Sequence, residues 1–171
     1  MPDRPMRRKD RLLCDDDCRQ LLHSAQYGVM ASVSPDGQPY GVPLSFVYKD
    51  NKIYFHCARE GCKIDNIRAN DRVSFTCVGQ PKPVYEHNNF TTYFESVIAF
   101  GRVTEIADRD ERYTALRELC LKYLPDYMEH FEAAMQRSDS RTAVYAITPE
   151  RITGKAKREK AGAYGTGEGK L

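Results

Sequence analysis

The sequence contains no tryptophan and no apolar run near the roughly 18 residues that a membrane-spanning helix requires. The N-terminus is charged rather than apolar, so we expect neither a membrane segment nor a secretory signal, and we expect a cytoplasmic protein. No internal repeat and no glycine-rich dinucleotide fingerprint is present. A repeat architecture is therefore excluded, and any nicotinamide nucleotide would bind without a dedicated nucleotide-binding domain.

The residues that are present suit one globular domain. Eleven tyrosines and seven phenylalanines accompany a hydrophobic content of 41% and a charged content of 29%. A chain of 171 residues can bury about two-thirds of its unfolded surface. We expect a single domain over residues 1–157, followed by a tail.

Positive charge is concentrated at the two ends of the chain. Residues 1–11 and residues 155–171 each carry five basic and two acidic side chains, so each end has a charge of +3 and the middle has −4. Basic arms can bind nucleic acid, but no aromatic side chains are interleaved with the basic ones here. We interpret the arms as solvated, predict no nucleic-acid partner, and expect residues 158–171 to be a flexible basic tail.

The six cysteines allow two interpretations. Four of them lie in apolar periodic segments, where a free thiol packs as a small hydrophobic side chain, and this favours a reducing compartment. The alternative is a zinc site made from Cys14, Cys18, Cys57 and Cys62 with His56. Neither cysteine spacing matches the common zinc knuckles, so we predict no metal.

Residues 40–78 have the clearest strand pattern. Apolar side chains alternate through residues 40–48, which predicts one half-buried strand. Asp50 and Asn51 tolerate a left-handed backbone and predict a tight turn into a second strand. A short helical segment then leads to the strand at residues 73–78. The second strand of this hairpin covers residues 53–57. Further strands are predicted at residues 29–33, 91–105 and 143–147, with a short final strand near residues 152–155 and a bend at Gly101.

Residues 79–90 are proline-rich and polar, which predicts a loop that could form a lid or wall of a substrate pocket with Tyr85 and His87. Asp15 is predicted to cap an N-terminal helix. Asp108 begins a capping box whose helix ends before Pro125, and a second helical segment follows. Antiparallel strands with helices in one late block predict a mainly β protein: a six-stranded antiparallel barrel with flanking helices.

A phosphate site is indicated directly after the second strand of the hairpin at residues 40–57. Gly61 allows close approach of the backbone, and Lys63 adds a cation at the start of a helical turn whose N–H groups are free. Pro43 cannot donate a ladder hydrogen bond, so the edge of its strand should face something other than a strand. A flat ring could lie there, as a flavin needs backbone hydrogen bonds, apolar cover and a phosphate anchor.

Three segments carry a resemblance to a known family. Residues 40–48 read Tyr-Gly-Val-Pro-Leu-Ser-Phe-Val-Tyr, residues 53–58 read Ile-Tyr-Phe-His-Cys-Ala with Gly61 and Lys63 behind them, and residues 93–101 read Tyr-Phe-Glu-Ser-Val-Ile-Ala-Phe-Gly. In this order they resemble the pyridoxamine 5′-phosphate oxidase-like FMN-binding split-barrel flavoproteins, most closely the Nim 5-nitroimidazole-resistance branch. The resemblance covers about residues 6–157.

The resemblance implies a homodimer with FMN sites at the subunit interface. It implies that Lys63 pairs with the phosphate, and that the strand at residues 42–45 runs beside the ring. Contributions from residues 93–97 would come from the same subunit or from its partner. The cofactor-binding residues implied are Val42, Pro43, Leu44, Ser45, His56, Cys57, Ala58, Gly61, Cys62, Lys63, Tyr93, Ser96 and Val97.

The resemblance also implies a reductase in which FMN takes a hydride from NAD(P)H and reduces a small electrophile such as a nitroaromatic. His56 has two open interpretations, a hydrogen-bonded structural residue or the catalytic residue that orients or protonates the substrate. Two other functions stay open: a flavin- or haem-binding module without turnover, and a vitamin B6 oxidase. Gly61 and Cys62 stand where pyridoxamine phosphate oxidases have a basic pair, which disfavours the oxidase.

Overall fold

The computed structural model describes residues 5–159, and β-strands make up the largest part of them. The strands are β1 (Gly28–Val33), β2 (Pro39–Leu44), β3 (Val47–Lys49), β4 (Lys52–Ala58), β5 (Arg72–Val78), β6 (Lys82–Glu86), β7 (Asn89–Glu105) and β8 (Thr142–Lys157). The α-helices are α1 (Asp15–Ser24), α2 (Cys62–Ala69), α3 (Arg109–Tyr123) and α4 (Phe131–Ser138), and 3₁₀ turns cover Lys9–Arg11, Pro125–His130 and Asp139–Arg141.

The strands form one antiparallel sheet in the order β2-β1-β5-β7-β8-β4-β3, with β6 added to β7. β2 and β3 are the two ends of this order, so the sheet curls without closing. The predicted mainly β, antiparallel split-barrel class is confirmed. The described residues contain eight strands rather than the predicted six.

One additional strand arises because the predicted strand at residues 40–48 is broken. Ser45 and Phe46 lie outside both β2 and β3, so the chain pairs first with β1 and then with β4. The turn after β3 is as predicted: Asp50 and Asn51 have φ angles of 49° and 59°, the left-handed conformation that a tight hairpin needs.

The other additional strand lies in the predicted loop at residues 79–90. β6 pairs with the start of β7 around a turn in which His87 and Asn88 have φ angles of 48° and 55°. The loop prediction was wrong because β6 pairs only with β7, and a proline such as Pro83 is tolerated in an edge strand.

β7 and β8 are the long central pair of the sheet. Their register shifts between Phe100 and Gly101, which confirms the predicted irregularity at that glycine. β8 is continuous through Pro149, so the two short strands predicted at residues 143–147 and 152–155 are parts of one strand. The bulge at Gly101 accommodates Pro149, which lies opposite it on β8.

Two apolar clusters hold the fold together. The first fills the barrel and includes Phe46, Phe55 and Phe75, with Ile64 and Ile67 of α2 covering one end. The second lies between the outer face of the β4–β8 pair and the helices α3 and α4. Helix α2 therefore crosses the barrel end that follows β4.

The helix ends follow local capping rules. The Asp108 carboxylate accepts a 2.8 Å hydrogen bond from the Glu111 N–H, as the predicted capping box requires. Helix α1 begins at Asp15, and its cap is the Cys14 sulfur rather than the Asp15 carboxylate. Within residues 5–159 no helix combines the length and apolarity needed to span a membrane.

The described cysteines are free thiols, two of them exposed, at Cys14 and Cys62. The same part of the chain holds no group of three or more His, Cys, Asp or Glu side chains arranged for a metal ion. The predicted flexible tail falls almost entirely on residues 160–171, which lie outside the described residues.

Candidate functional site

The opening in the barrel lies between β2 and β4. β2 pairs with β1 only. β3 covers β4 only as far as Tyr54, so from Phe55 to Ala58 this strand has β8 on one side and, within residues 5–159, no strand on the other. Continuing the β3–β4 register would place Ser45 opposite His56, but the chain diverges at that point. We call this opening, bordered by residues 41–45 and 55–58, the split.

Small side chains line the outer surface of the split. Gly41, Pro43 and Ser45 on β2 and its extension are exposed, and so are His56 and Ala58 on β4. The intervening residues point into the barrel: Leu44 is buried, whereas Val42 and Cys57 are half-buried and pack against the core. The split thus has two unpaired strand edges, small side chains on its outer surface and one imidazole, that of His56.

Helix α2 begins at the end of the split. Gly61 precedes it with a φ angle of 117°, a conformation that favours glycine. The Gly61 carbonyl accepts hydrogen bonds from the N–H groups of Ile64 and Asp65 at 2.8 and 3.1 Å. The N–H groups of Cys62 and Lys63 belong to the first turn, whose amides have no partner within a helix. They suit an anion.

The Lys63 side chain is half-buried and extends towards the barrel wall. Its Nζ lies 5.5 Å from the centroid of the Phe55 ring. Burial raises the pKa of the Cys57 thiol, while the Lys63 ammonium lowers it through its charge and by donating a hydrogen bond to the sulfur. The Lys63 ammonium therefore lies beside Phe55 and Cys57, near the end of β4.

His56 is exposed on the outer face of β4, opposite Val144 of β8. Partial removal of water by the surrounding protein lowers the pKa of its imidazole, and the nearby Lys63 charge lowers it further. At neutral pH the side chain is therefore a neutral imidazole, which can donate one hydrogen bond and accept one.

The three predicted residues on β7 do not reach the split of the same subunit. β7 lies in the middle of the sheet, separated from β2 by β1 and β5 and from β4 by β8. Val97 is fully buried in the barrel, whereas Ser96 is half-buried opposite Lys155. Tyr93 donates a hydrogen bond to Glu86 at the base of the β6–β7 hairpin. The structure thus places residues 42–45 on one border of the split, residues 56–58 on the other, and Gly61, Cys62 and Lys63 after the second border.

Cavities at other places in the fold are less suited to a phosphorylated ring. One of about 380 Å³ lies between α1 and the turn after β3, where Arg19 and Tyr48 are among the lining residues. Another of about 320 Å³ is lined by Lys52, Tyr54 and Glu111, whose polar groups bind one another. Tyr85 lines a third, of about 420 Å³, on the β6–β7 hairpin. The first two cavities contain first-turn residues of a helix, Asp15 of α1 and Glu111 of α3, but these are acidic side chains that would repel a phosphate.

The residues of the split fit the flavin that the resemblance implies. Unpaired strand edges can hydrogen-bond a planar heterocycle, the small outer side chains leave its face room, and Lys63 with the first turn of α2 suits a phosphate. Val42 and Cys57, which pack against the barrel core, add apolar cover on the inner side of the split.

Sequence reasoning missed two residues of α3 that bind the chain beside the split, between β2 and β3. Tyr123 of α3 accepts a 2.9 Å hydrogen bond from the Phe46 N–H, and Lys122 donates a 3.0 Å hydrogen bond to the Phe46 carbonyl. Neither residue was predicted to lie near a functional site. No local signal marks either residue, because their partners lie 77 and 76 positions earlier.

The comparisons with solved structures agree with this architecture. A protein from Bacteroides thetaiotaomicron, described as a candidate 5-nitroimidazole antibiotic resistance protein, is 25% identical with a TM-score of 0.74, over 85% of this chain and 86% of that one. A FAD-binding protein from Mesorhizobium loti is 24% identical with a TM-score of 0.58, over 86% and 98% of the two chains. A FAD and haem binding protein from Mycobacterium smegmatis is 16% identical with a TM-score of 0.74, over 85% and 72%. The latter two similarities show the fold alone.

A comparison of the sequence with protein families identifies the family of the chain. No curated protein matches the sequence significantly. The family model for pyridoxamine 5′-phosphate oxidase matches residues 15–156, which include every strand of the barrel and both borders of the split. The chain belongs to the pyridoxamine 5′-phosphate oxidase family.

Proposed function

We propose that this protein is an FMN-dependent oxidoreductase that binds its cofactor in the split. The observation that carries the proposal is the junction of two unpaired strand edges with the first turn of α2 and Lys63. The relatives described as FAD-binding support a flavin, and a single phosphate anchor favours the mononucleotide.

The parts of the split have separate tasks in this proposal. Lys63 and the N–H groups of Cys62 and Lys63 bind the phosphate, and Gly61 keeps that end free of a side chain. The backbone at residues 42–45 binds the polar edge of the ring, and residues 56–58 border it on the opposite side. The flavin supplies hydride and electron transfer when bound. The protein orients it and keeps one face accessible.

His56 lies where a substrate above the ring would meet a polar group. Because its imidazole is neutral at neutral pH, it orients the substrate by hydrogen bonding and passes on a proton only when one is delivered to it. A fixed positive charge at this position would also be unfavourable beside Lys63.

The electron donor and acceptor are proposed from the shape of the split and from one relative. The split is open at its outer surface, so NAD(P)H and a small electrophile can reach the ring in turn. The 25% identical structure described as a 5-nitroimidazole resistance protein supports a nitroaromatic as the acceptor class.

We further propose a homodimer that covers the outer face of the sheet beside the split. Val29, Val33 and Val78 on this face are 44%, 42% and 61% exposed, and a second copy of the chain would remove these apolar side chains from water. Since Tyr93 and Ser96 lie far from the split of their own subunit, a second copy is the route by which they would contribute to it.

The proposal is tested by the absorption spectrum of the purified protein before and after addition of FMN, followed by anaerobic NADH or NADPH. A bound flavin spectrum that bleaches with the reductant and recovers with a nitroaromatic is the expected result. A protein that retains neither FMN nor FAD after gel filtration would refute the proposal.

A second candidate function is a flavin- or haem-binding module without turnover. It is favoured by the similarity to the FAD and haem binding protein of M. smegmatis. In that case the bound flavin would resist bleaching by NADH and NADPH, or haem would give a Soret band and displace FMN. Hydrogen peroxide formation from pyridoxamine phosphate would instead indicate the vitamin B6 oxidase.

A further inference from the structure

Ser32 and Asn66 form a hydrogen bond inside one end of the barrel. Apart from tyrosines and cysteines, they are the only polar residues buried within residues 5–159, at 3% and 1% exposure. The Asn66 Nδ2 donates to the Ser32 Oγ at 3.2 Å. Replacing both partners of a buried pair by apolar side chains of similar shape costs a protein little stability. The distinctive property of the pair is therefore its direction, because a hydrogen bond restricts an angle as well as a distance.

Each partner lies among apolar side chains. On β1, Ser32 takes an inward-facing position in line with Met30, which is fully buried. On α2, Asn66 is buried together with Ile64 and Ile67, which pack into the barrel. Apolar contacts such as those of the two isoleucines are not directional, so they permit small shifts and tilts of an eight-residue helix. The hydrogen bond to Ser32 removes that freedom.

The hydrogen bond also relates the two borders of the split. Helix α2 continues the chain from β4, which forms one border. Ser32 lies on β1 directly opposite Tyr40, and the next residues of β2 form the other border. Within the described strands β2 and β4 do not pair with each other. Helix α2, packed against β1, is thus the element that bridges the borders at this end of the barrel.

The first turn of α2 lies about one helical turn before this bond. Asn66 follows Cys62 by four positions and Lys63 by three, and an α-helix has 3.6 residues per turn. Because the turns of a helix are joined by hydrogen bonds, a shift or tilt at Asn66 also moves the N–H groups of the first turn. The direction in which those N–H groups face therefore depends on where Asn66 is held.

We propose that Asn66 and Ser32 are positioning residues for the phosphate of the cofactor. The bond between them holds α2 on the barrel end so that the N–H groups of Cys62 and Lys63 face the split. This role rests on the proposed flavin site, and neither of the two buried side chains touches the ligand. It predicts an effect on the binding of the phosphate and no effect on the binding of the ring.

The test uses the double variant Ser32→Ala/Asn66→Leu, in which both partners become apolar and neither is left unpaired. Because such a replacement is nearly neutral for stability, the variant should melt at a temperature close to that of the wild type. The readout is the dissociation constant of FMN compared with that of riboflavin, which has the same ring without the phosphate. Weakening of one phosphate hydrogen bond should raise the FMN constant about fivefold and leave the riboflavin constant unchanged.

Two control variants separate position from stability. Ile67→Val removes one buried methylene from the same helix and keeps the polar pair. It should lower the melting temperature without changing the ratio of the FMN and riboflavin constants. Ser32→Thr keeps the hydroxyl on β1 and should keep the ratio near that of the wild type. If the double variant does not fold, Ser32→Ala alone decides by the same ratio.

The possible outcomes separate this role from the flavin site itself. If the wild type prefers FMN and the double variant has the same ratio, the positioning role is overturned and the proposed function stands. Equal weakening of FMN and riboflavin would also overturn it, because the pair would then act on the whole site. Failure of the wild type to bind either flavin would refute the proposed function and this role with it.

Discussion

Lys63 is predicted to bind the phosphate of the cofactor and not its ring. The change that isolates this role is Lys63→Met, since methionine keeps an unbranched apolar stem against Phe55 and removes only the charge and the donor. The half-buried position of Lys63 beside the first turn of α2 makes its contribution larger than that of a fully exposed lysine.

The magnitude follows from the type of contact. A hydrogen bond to a charged group contributes about 1.5–3 kcal/mol, so a loss of about 2 kcal/mol is expected. That loss corresponds to a roughly 30-fold increase in the FMN dissociation constant. Riboflavin has the same ring without the phosphate, so its dissociation constant should be unchanged in the variant.

Isothermal titration or flavin fluorescence quenching measures both constants at one salt concentration. The matched control is Lys82→Met, which removes an exposed lysine on β6 that pairs with Glu159. Equal weakening of FMN and riboflavin by Lys63→Met would place the lysine at the ring rather than at the phosphate. Unchanged FMN affinity would refute the anchor.

Three further variants test other parts of the account. His56→Gln should leave FMN affinity within about twofold but lower turnover on the order of 10², and equal turnover would return His56 to a structural role. Glu111→Gln should cost about 1 kcal/mol in urea unfolding at pH 7, because Lys52 and Tyr54 hydrogen bonds lower the Glu111 pKa below its ordinary 4.5. That stability is present above pH 4.5 and disappears as the pH falls through the lowered pKa, so a gap persisting in strong acid would contradict it. Gly101→Ala should cost about 3 kcal/mol in the same assay, since its Cβ would overlap the Thr148 carbonyl oxygen, whereas Gly41→Ala should be tolerated.

The parts of the fold that were predictable from the sequence depend on neighbouring residues. The turn at Asp50 and Asn51, the capping box at Asp108 and the irregularity at Gly101 are encoded by residue types that suit a particular backbone conformation. Gly61 and Lys63 could be singled out for the same reason, because they are close in sequence, and their role in binding a phosphate stays a prediction.

The break between β2 and β3 could not be predicted in this way. Apolar alternation continues through Leu44, Phe46 and Tyr48 as it would in one strand, and all three side chains are buried. At the break, the backbone of Phe46 binds two side chains on α3 that lie more than 70 positions later in the sequence. The alternation of apolar residues shows on which face of a strand each side chain lies. It does not show with which strand the backbone pairs.

The hairpin of β6 and β7 was missed for a related reason. Prolines and polar residues at 79–90 indicate a loop when a strand is assumed to have two neighbours. Among the described strands, β6 has one neighbour, β7, so the missing N–H of Pro83 is tolerated. The distance of Tyr93 and Ser96 from the split was equally hidden, since a sequence does not state whether two segments meet within one subunit or across two.

The most direct test of the central claim, that a flavin occupies the split, is amide chemical-shift mapping of isotope-labelled protein titrated with FMN. We expect the largest changes at amides that face the split or lie in the first turn of α2, namely those of Gly41, Ser45, His56, Cys62 and Lys63. The amides that line the cavity between α1 and the turn after β3 should change little. Changes confined to that cavity, with the amides of the split unmoved at saturating FMN, would contradict the account.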